Sequence, residues 1–164
     1  MPIMEPEFAG SEKPSAFSIP DRQRWMGALS TAPSDRLKTL WEGLADTPDY
    51  RLVRSPEIGL VMTRGRMGGT GSPFNLTEMT VTRCSVRLAD GTLGHGYVAG
   101  RARKKAEIAA VCDAMLQLPE YAGPVQARII DPLVSERAAR DEARARKVSA
   151  TRVEFFTMVR GDNE

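Results

Sequence analysis

Residues 79–101, MTVTRCSVRLADGTLGHGYVAGR, decide the fold. From Met79 to Leu88 the side chains alternate. Thr80, Thr82, Cys84, Val86 and Leu88 share one face, while Met79, Val81, Arg83, Ser85 and Arg87 share the other. A two-residue period is the pattern of a strand with one face towards a core. Asp90-Gly91 is a favoured tight-turn pair, so Thr92 to Ala99 returns antiparallel. Gly94, Gly96 and Gly100 leave the return strand thin on one side, which calls for close approach of another backbone or a ligand. His95 and Tyr97 share the opposite parity, and this single histidine has no visible catalytic partner.

Downstream, Gly100 to Leu118 changes to a helical period, with Ile108, Val111, Cys112, Met115 and Leu118 on one stripe. Its head is crowded by Arg101, Arg103, Lys104 and Lys105, where the helix dipole favours acids. Two readings stand: a solvated basic turn, or a site facing an anion. Pro119 closes this helix, Gly123-Pro124 marks a loop, and Gln126 to Ile130 reads as a short extended piece. Leu133 to Ala150 is an alanine-rich, charged helix with a shallow apolar stripe. Thr151 to Arg160 reads as a strand apolar on both sides, with Val153, Phe155 and Val159 on one and Phe156 and Met158 on the other.

Upstream, Arg66-Met67-Gly68-Gly69-Thr70-Gly71 is a flexible cluster whose amides could form an anion nest. It lacks the Lys-Ser/Thr of a phosphate loop, and strand-like sequence follows instead of the helix a dinucleotide fingerprint needs. A structural turn is the competing reading. Before it, Tyr50–Arg54 and Ile58–Arg64 read as two strands separated by a Ser55-Pro56-Glu57 turn. Further back, Asp21 is the candidate cap of a helix bearing Trp25, Met26 and Leu29. Ser34 is the candidate cap of a second, with Leu37, Leu40, Trp41 and Leu44 on one stripe. Together they predict an αα-hairpin whose tryptophans serve either the core or a partner. Residues 1–20, rich in proline and polar residues, read as a flexible leader.

The predicted architecture is therefore α+β: a single domain over residues 21–164, mainly antiparallel, with an N-terminal αα-hairpin and two longer helices. A chain of 164 residues is long enough for its own core. A net charge of +2 gives no polybasic coat for nucleic acid or membrane, and no apolar run reaches the length of a membrane span. Cys84 and Cys112 are expected to be reduced thiols in a cytoplasmic protein. With one histidine and two separated cysteines, no metal site is expected. There is no carboxylate pair with convincing spacing and no nucleophile beside a base, so no catalytic residue is nominated.

An ordered set of motifs then resembles a known family. They are Arg22-Gln23-Arg24-Trp25-Met26, Gly59-Leu60-Val61, Arg66 to Gly71, Thr82-Arg83, Val86-Arg87-Leu88, Asp90-Gly91-Thr92-Leu93-Gly94, Gly100-Arg101 and Phe155 to Asp162. From about Arg22 onward the chain resembles the G-subunit family of bacterial carbon–phosphorus lyase, PhnG. The resemblance implies a heteromeric complex in which G pairs with the I subunit, alongside H and J, with the ATP-binding-cassette-type L subunit acting in the first step. There a phosphonate such as methylphosphonate displaces adenine from the ribose of ATP, and J later cleaves the carbon–phosphorus bond. MgATP is then a substrate of the complex, with no cofactor bound by this chain. The resemblance carries no catalytic residue onto any position here.

Two roles follow as expectations. The first is a non-catalytic subunit with interface residues Trp25, Trp41, Gly94, Gly96, Phe155, Phe156 and Met158. The alternative is an autonomous ATP- or phosphonate-binding module using Arg66, Gly68, Gly69, Thr70, Gly71, Arg101 and Arg103. Single-stranded nucleic-acid binding has only Arg83, Arg87 and Tyr97 to recommend it and too few aromatics, so it is not expected.

Overall fold

The hairpin read from residues 79–101 is the centre of the fold in the computed structural model, which describes residues 17–150. Three antiparallel strands lie in chain order: β1 (Tyr50–Arg66), β2 (Pro73–Leu88) and β3 (Leu93–Ala99). Thr82, Cys84, Val86 and Leu88 are buried on the predicted face. The β2–β3 turn closes with Gly91 N–H donating to Leu88 O, and Gly91 has φ +94°, which makes glycine the natural residue there.

Two predicted strands merge into one. Ser55-Pro56-Glu57 does not turn the chain. β1 runs unbroken for 17 residues, and its pairing with β2 absorbs the extra residues as irregularities between Leu52 and Arg54 and between Arg54 and Glu57. Pro56 is tolerated because β1 is a sheet edge, where an outward position needs no ladder donor. Glu57 holds the bulged region to β2 by accepting from Arg83 Nε at 2.6 Å and from Arg54 Nη1 at 3.1 Å.

Helix α1 (Ile19–Thr31) begins three residues earlier than the sequence suggests. Ser18, not Asp21, is the N-cap. Asp21 occupies the third helical position and accepts from the Ser18 backbone N–H and hydroxyl, while Asp21 N–H donates back to Ser18 Oγ. These bonds lower the Asp21 pKa. Helix α2 (Ser34–Glu42) follows, preceded by Pro33 rather than capped by the Ser34 side chain.

Helix α3 (Arg103–Met115) is buried along nearly its whole length, between the sheet and the α1–α2 pair. Its Ala106, Ala110 and Ala114 recur every fourth residue and present a flat stripe. Gly94 and Gly96 of β3 lie directly under it. A Cβ added at Gly94 would stand 2.0 Å from Ala110 O, and one at Gly96 2.0 Å from Ala106 O. The approaching backbone demanded by this thin face therefore belongs to the same chain. Thr82, buried in β2, donates to Gly100 O at 2.6 Å and accepts from Ala102 N–H at 3.1 Å, fastening the β3–α3 connection.

After α3 the structure departs again from the sequence reading. Pro119 starts a helix instead of ending one, as suits proline in a first turn: α4 spans Pro119–Val125. Gln126–Ile130 is not extended but forms a π-helical turn after Pro124, whose missing N–H breaks the regular ladder. The chain continues into α5 (Asp131–Ala150). Only Leu133 of α5 is buried, and Arg36 pairs with Glu136 to tie its first half to α2. The strand expected over Thr151–Arg160, with Phe155, Phe156 and Met158, lies outside the described residues. So does most of the expected leader.

Candidate functional site

The sequence selects two basic features as a shared anion site, and the structure holds them apart. Met67–Gly69 is a 3-10 turn at the far tip of the β1–β2 hairpin. Arg101 lies beyond β3 and follows Gly100, whose N–H donates to Thr80 O, seven residues along β2 from Pro73. At about 3.4 Å per residue, more than roughly 20 Å of strand separates them.

The tip is also largely closed on itself. Gly68 and Gly69 have φ of +60° and +81°, as a nest would require. However, the N–H groups of Thr70 and Gly71 both donate to Met67 O, and Arg66 Nη1 donates to Gly71 O at 3.2 Å. Those amides point into the turn, which favours the structural-turn reading.

At the helix head, two of the four cations are satisfied internally. Lys105 Nζ donates to Ser30 O at 2.7 Å, in the last turn of α1, where the dipole is negative. Burial lowers the Lys105 pKa. Lys104 pairs with Glu107 at 3.4 Å. Arg101 and Arg103 are exposed and have no ion pair among the described residues.

The polar centre that sequence reading missed is Asp113. It is fully buried in α3 and accepts from Arg22 Nη2 at 2.7 Å and Arg22 Nε at 3.1 Å. Trp25 Nε1 donates to it at 2.8 Å, and the His95 backbone N–H at 2.9 Å. One carboxylate thus binds α1, α3 and β3 together, with its charge matched by a bidentate guanidinium. The signal was present: an Asp inside Ala109-Ala110-Val111-Cys112-Asp113-Ala114-Met115 must find a cation when that helix is buried. Arg22 and Trp25, three apart on α1, were the available donors.

This removes Trp25 from the list of side chains open to a partner, because it is 5% exposed and committed to Asp113. Gly94 and Gly96 leave that list too, being covered by α3. Trp41 is partly buried against the core. Both thiols are buried and free; burial pushes Cys84 to about 11 and raises Cys112 as well. Tyr50 Oη donates to Glu107 at 2.6 Å, and burial with that bond pushes its pKa to about 12.

What remains accessible is a surface of a different kind. The sheet face away from α3 carries Leu93, His95 and Tyr97 on β3, with Arg51 opposite Arg87 on β1 and β2. Beyond the end of β3, strands β1 and β2 continue as a two-stranded arm that no helix covers among the described residues. Leu60 and Met62 alternate along one of its faces at 63% and 52% exposure, continuing from Ile58, 40% exposed, at its root opposite Thr82. Phe74 and Leu76, 42% and 62% exposed, lie near Gly65 on the other strand. Isolated two-stranded hairpins are marginal in water, and contiguous exposed apolar side chains are unusual on a monomer's surface. A concavity of about 560 Å³ opens between α1 and the start of α5, lined by Asp21, Arg24 and Asp131 among others, and no anion-binding candidate borders it.

The fold and this surface define a small α+β protein with a packed body and a β arm left uncovered among the described residues. Comparison with known proteins gives the same class a family. The model of the family described as phosphonate metabolism protein PhnG matches residues 20–161. The chain is also 41% identical over 145 residues to alpha-D-ribose 1-methylphosphonate 5-triphosphate synthase subunit PhnG of Rhizobium meliloti (strain 1021), covering 88% of this chain and 92% of that protein. The chain belongs to the PhnG family.

Proposed function

We propose that this chain is a non-catalytic subunit of a multi-subunit, cytoplasmic synthase of phosphonate catabolism. In this reading the assembly transfers the ribose triphosphate of ATP to a phosphonate such as methylphosphonate. A phosphonate oxygen bonds to the ribose carbon and the adenine–ribose bond breaks, releasing adenine. The partners are the I subunit, with H, J and L in the assembly, and MgATP enters as substrate of the whole complex. The observation that carries the reading is the kinship with a synthase subunit over nearly the full length of both chains. The apolar arm left bare by the chain's own core supports it.

Co-expression with a tagged I subunit tests this directly. Stoichiometric co-purification, together with loss of adenine release when this chain is omitted, is the expected result. A monodisperse monomer that ignores the I subunit would count decisively against it. The alternative, an autonomous anion-binding module, rests on unpaired Arg101 and Arg103. Titration calorimetry of the isolated chain with MgATP addresses it, and no heat at millimolar ligand sinks it.

A further inference from the structure

We infer that the β1–β2 arm, from Leu60 to Thr80, is the element that docks this chain into its complex, seated in a groove of another subunit with an apolar floor and an acidic rim. The inference rests on the subunit reading above and specifies which surface carries it. β3 pairs with β2 only from Val81 to Arg87, so among the described residues the pairs from Leu60–Thr80 to Arg66–Pro73 lack a third strand and the helical cover that α3 gives the body. Leu60 and Leu76 are each more than 60% exposed, and Met67 at the tip is 75% exposed. A hairpin seven residues long spans roughly 24 Å by 10 Å, about 500 Å² of projected surface over two faces. With side-chain relief added, that approaches the ~800 Å² each partner contributes to a stable interface.

Charge selects the occupant. From Arg64 to Thr77 the arm contains Arg64 and Arg66 and no acid. Neither makes an ion pair among the described residues; Arg66 reaches only a carbonyl. An acidic rim meets those cations, whereas a second copy would not. Two arms paired about a twofold axis would set each tip beside the other's base, where Arg54 and Arg83 already share the single carboxylate of Glu57. Cation would then face cation.

The test uses the complex reconstituted from this full chain and its tagged partner subunits. Leu60→Ser/Met62→Ser/Leu76→Ser is expected to weaken retention at least tenfold while its thermal melting stays that of the wild type. Arg64→Glu/Arg66→Glu should weaken retention comparably at low salt. Ile19→Ser, an equally exposed apolar site on α1, should leave it unchanged. A photo-crosslinker placed at Leu60 should join a partner subunit, and the same group at Val148 on α5 should not. Wild-type retention by the folded arm variants overturns the inference and leaves the subunit reading standing. Failure of the wild-type chain to assemble overturns both. A chain that dimerises alone, with Leu60 crosslinked to its own kind, also overturns the inference.

Discussion

The same pair of strands is built in two ways along its length. Near its base, β2 turns Thr82, Cys84, Val86 and Leu88 under a helix so close that glycine is required opposite it. Towards its tip, the face that would continue this pattern presents Leu60 and Met62 to solvent. Apolar content is similar in both halves; the difference is cover. The base is completed by α3 and by the Asp113 clamp, whereas the arm has no intramolecular counterpart among the described residues. Apolar periodicity thus identifies a face that must be buried, but not which chain buries it.

The sharpest way to break the contrast is to attack the body. Asp113→Ala leaves Arg22, Trp25 Nε1 and the His95 amide without their acceptor. Loss of one partner from a buried charge pair costs about 3–5 kcal/mol, so a large fall in chemical-denaturation stability is expected. Arg22→Met/Asp113→Leu should recover part of it, since removing both charges avoids an orphaned ion. Gly96→Ala comes next. Its Cβ meets the Ala106 carbonyl, a backbone atom that cannot rotate aside, so α3 must move. The expected loss is about 3 kcal/mol, the upper end for overpacking.

These two sites also mark where sequence reading succeeded and where it stopped. The β2–β3 hairpin and the α3 stripe were legible because period and turn chemistry are local. The thin face at Gly94 and Gly96 was legible as a demand for a close neighbour. Its identity was not, because a glycine does not say whose backbone approaches. Asp113 was hidden for a similar reason: its side-chain donors are 88 and 91 residues away, and nothing local pairs them. Pro56 and Pro124 misled in one direction. Each looked like a break, yet an edge strand tolerated the first and a widened helix the second. Arg66 and Arg101 looked like one site only because the sequence carries no record of the arm's length.

The arm reverses the pattern of effects. Leu60→Ser should change the stability of the isolated chain by no more than ~0.5 kcal/mol, as for other exposed positions. Equal melting curves with unequal assembly would confirm that burial at this end comes from another molecule. A substantial loss of stability in the free chain would instead mean that the arm packs on its own body.

A smaller effect separates the two regions by titration, because the perturbed groups Asp21, Tyr50, Cys84, Lys105 and Cys112 all belong to the body. Tyr50, raised from 10.0 to about 12, and Cys84, raised from 9.0 to about 11, keep their protons longer when folded. Their contribution is present below the unfolded values and is lost as pH rises through those windows. Lys105 acts oppositely. Its lowered pKa means that the unfolded chain binds the extra proton, so its contribution grows as pH rises towards 10.5. Melting temperature should therefore fall between about pH 9 and pH 12, the window spanned by the Cys84 and Tyr50 shifts. Lys105→Met should make the fall steeper, even though its absolute stability at neutral pH is lower. Ellman's reagent at neutral pH should find both buried thiols unreactive until the body unfolds, whereas cutting back the arm with Leu60→Ser should not expose them. Thiol release by that arm variant would show that the two ends of the hairpin are one cooperative unit after all.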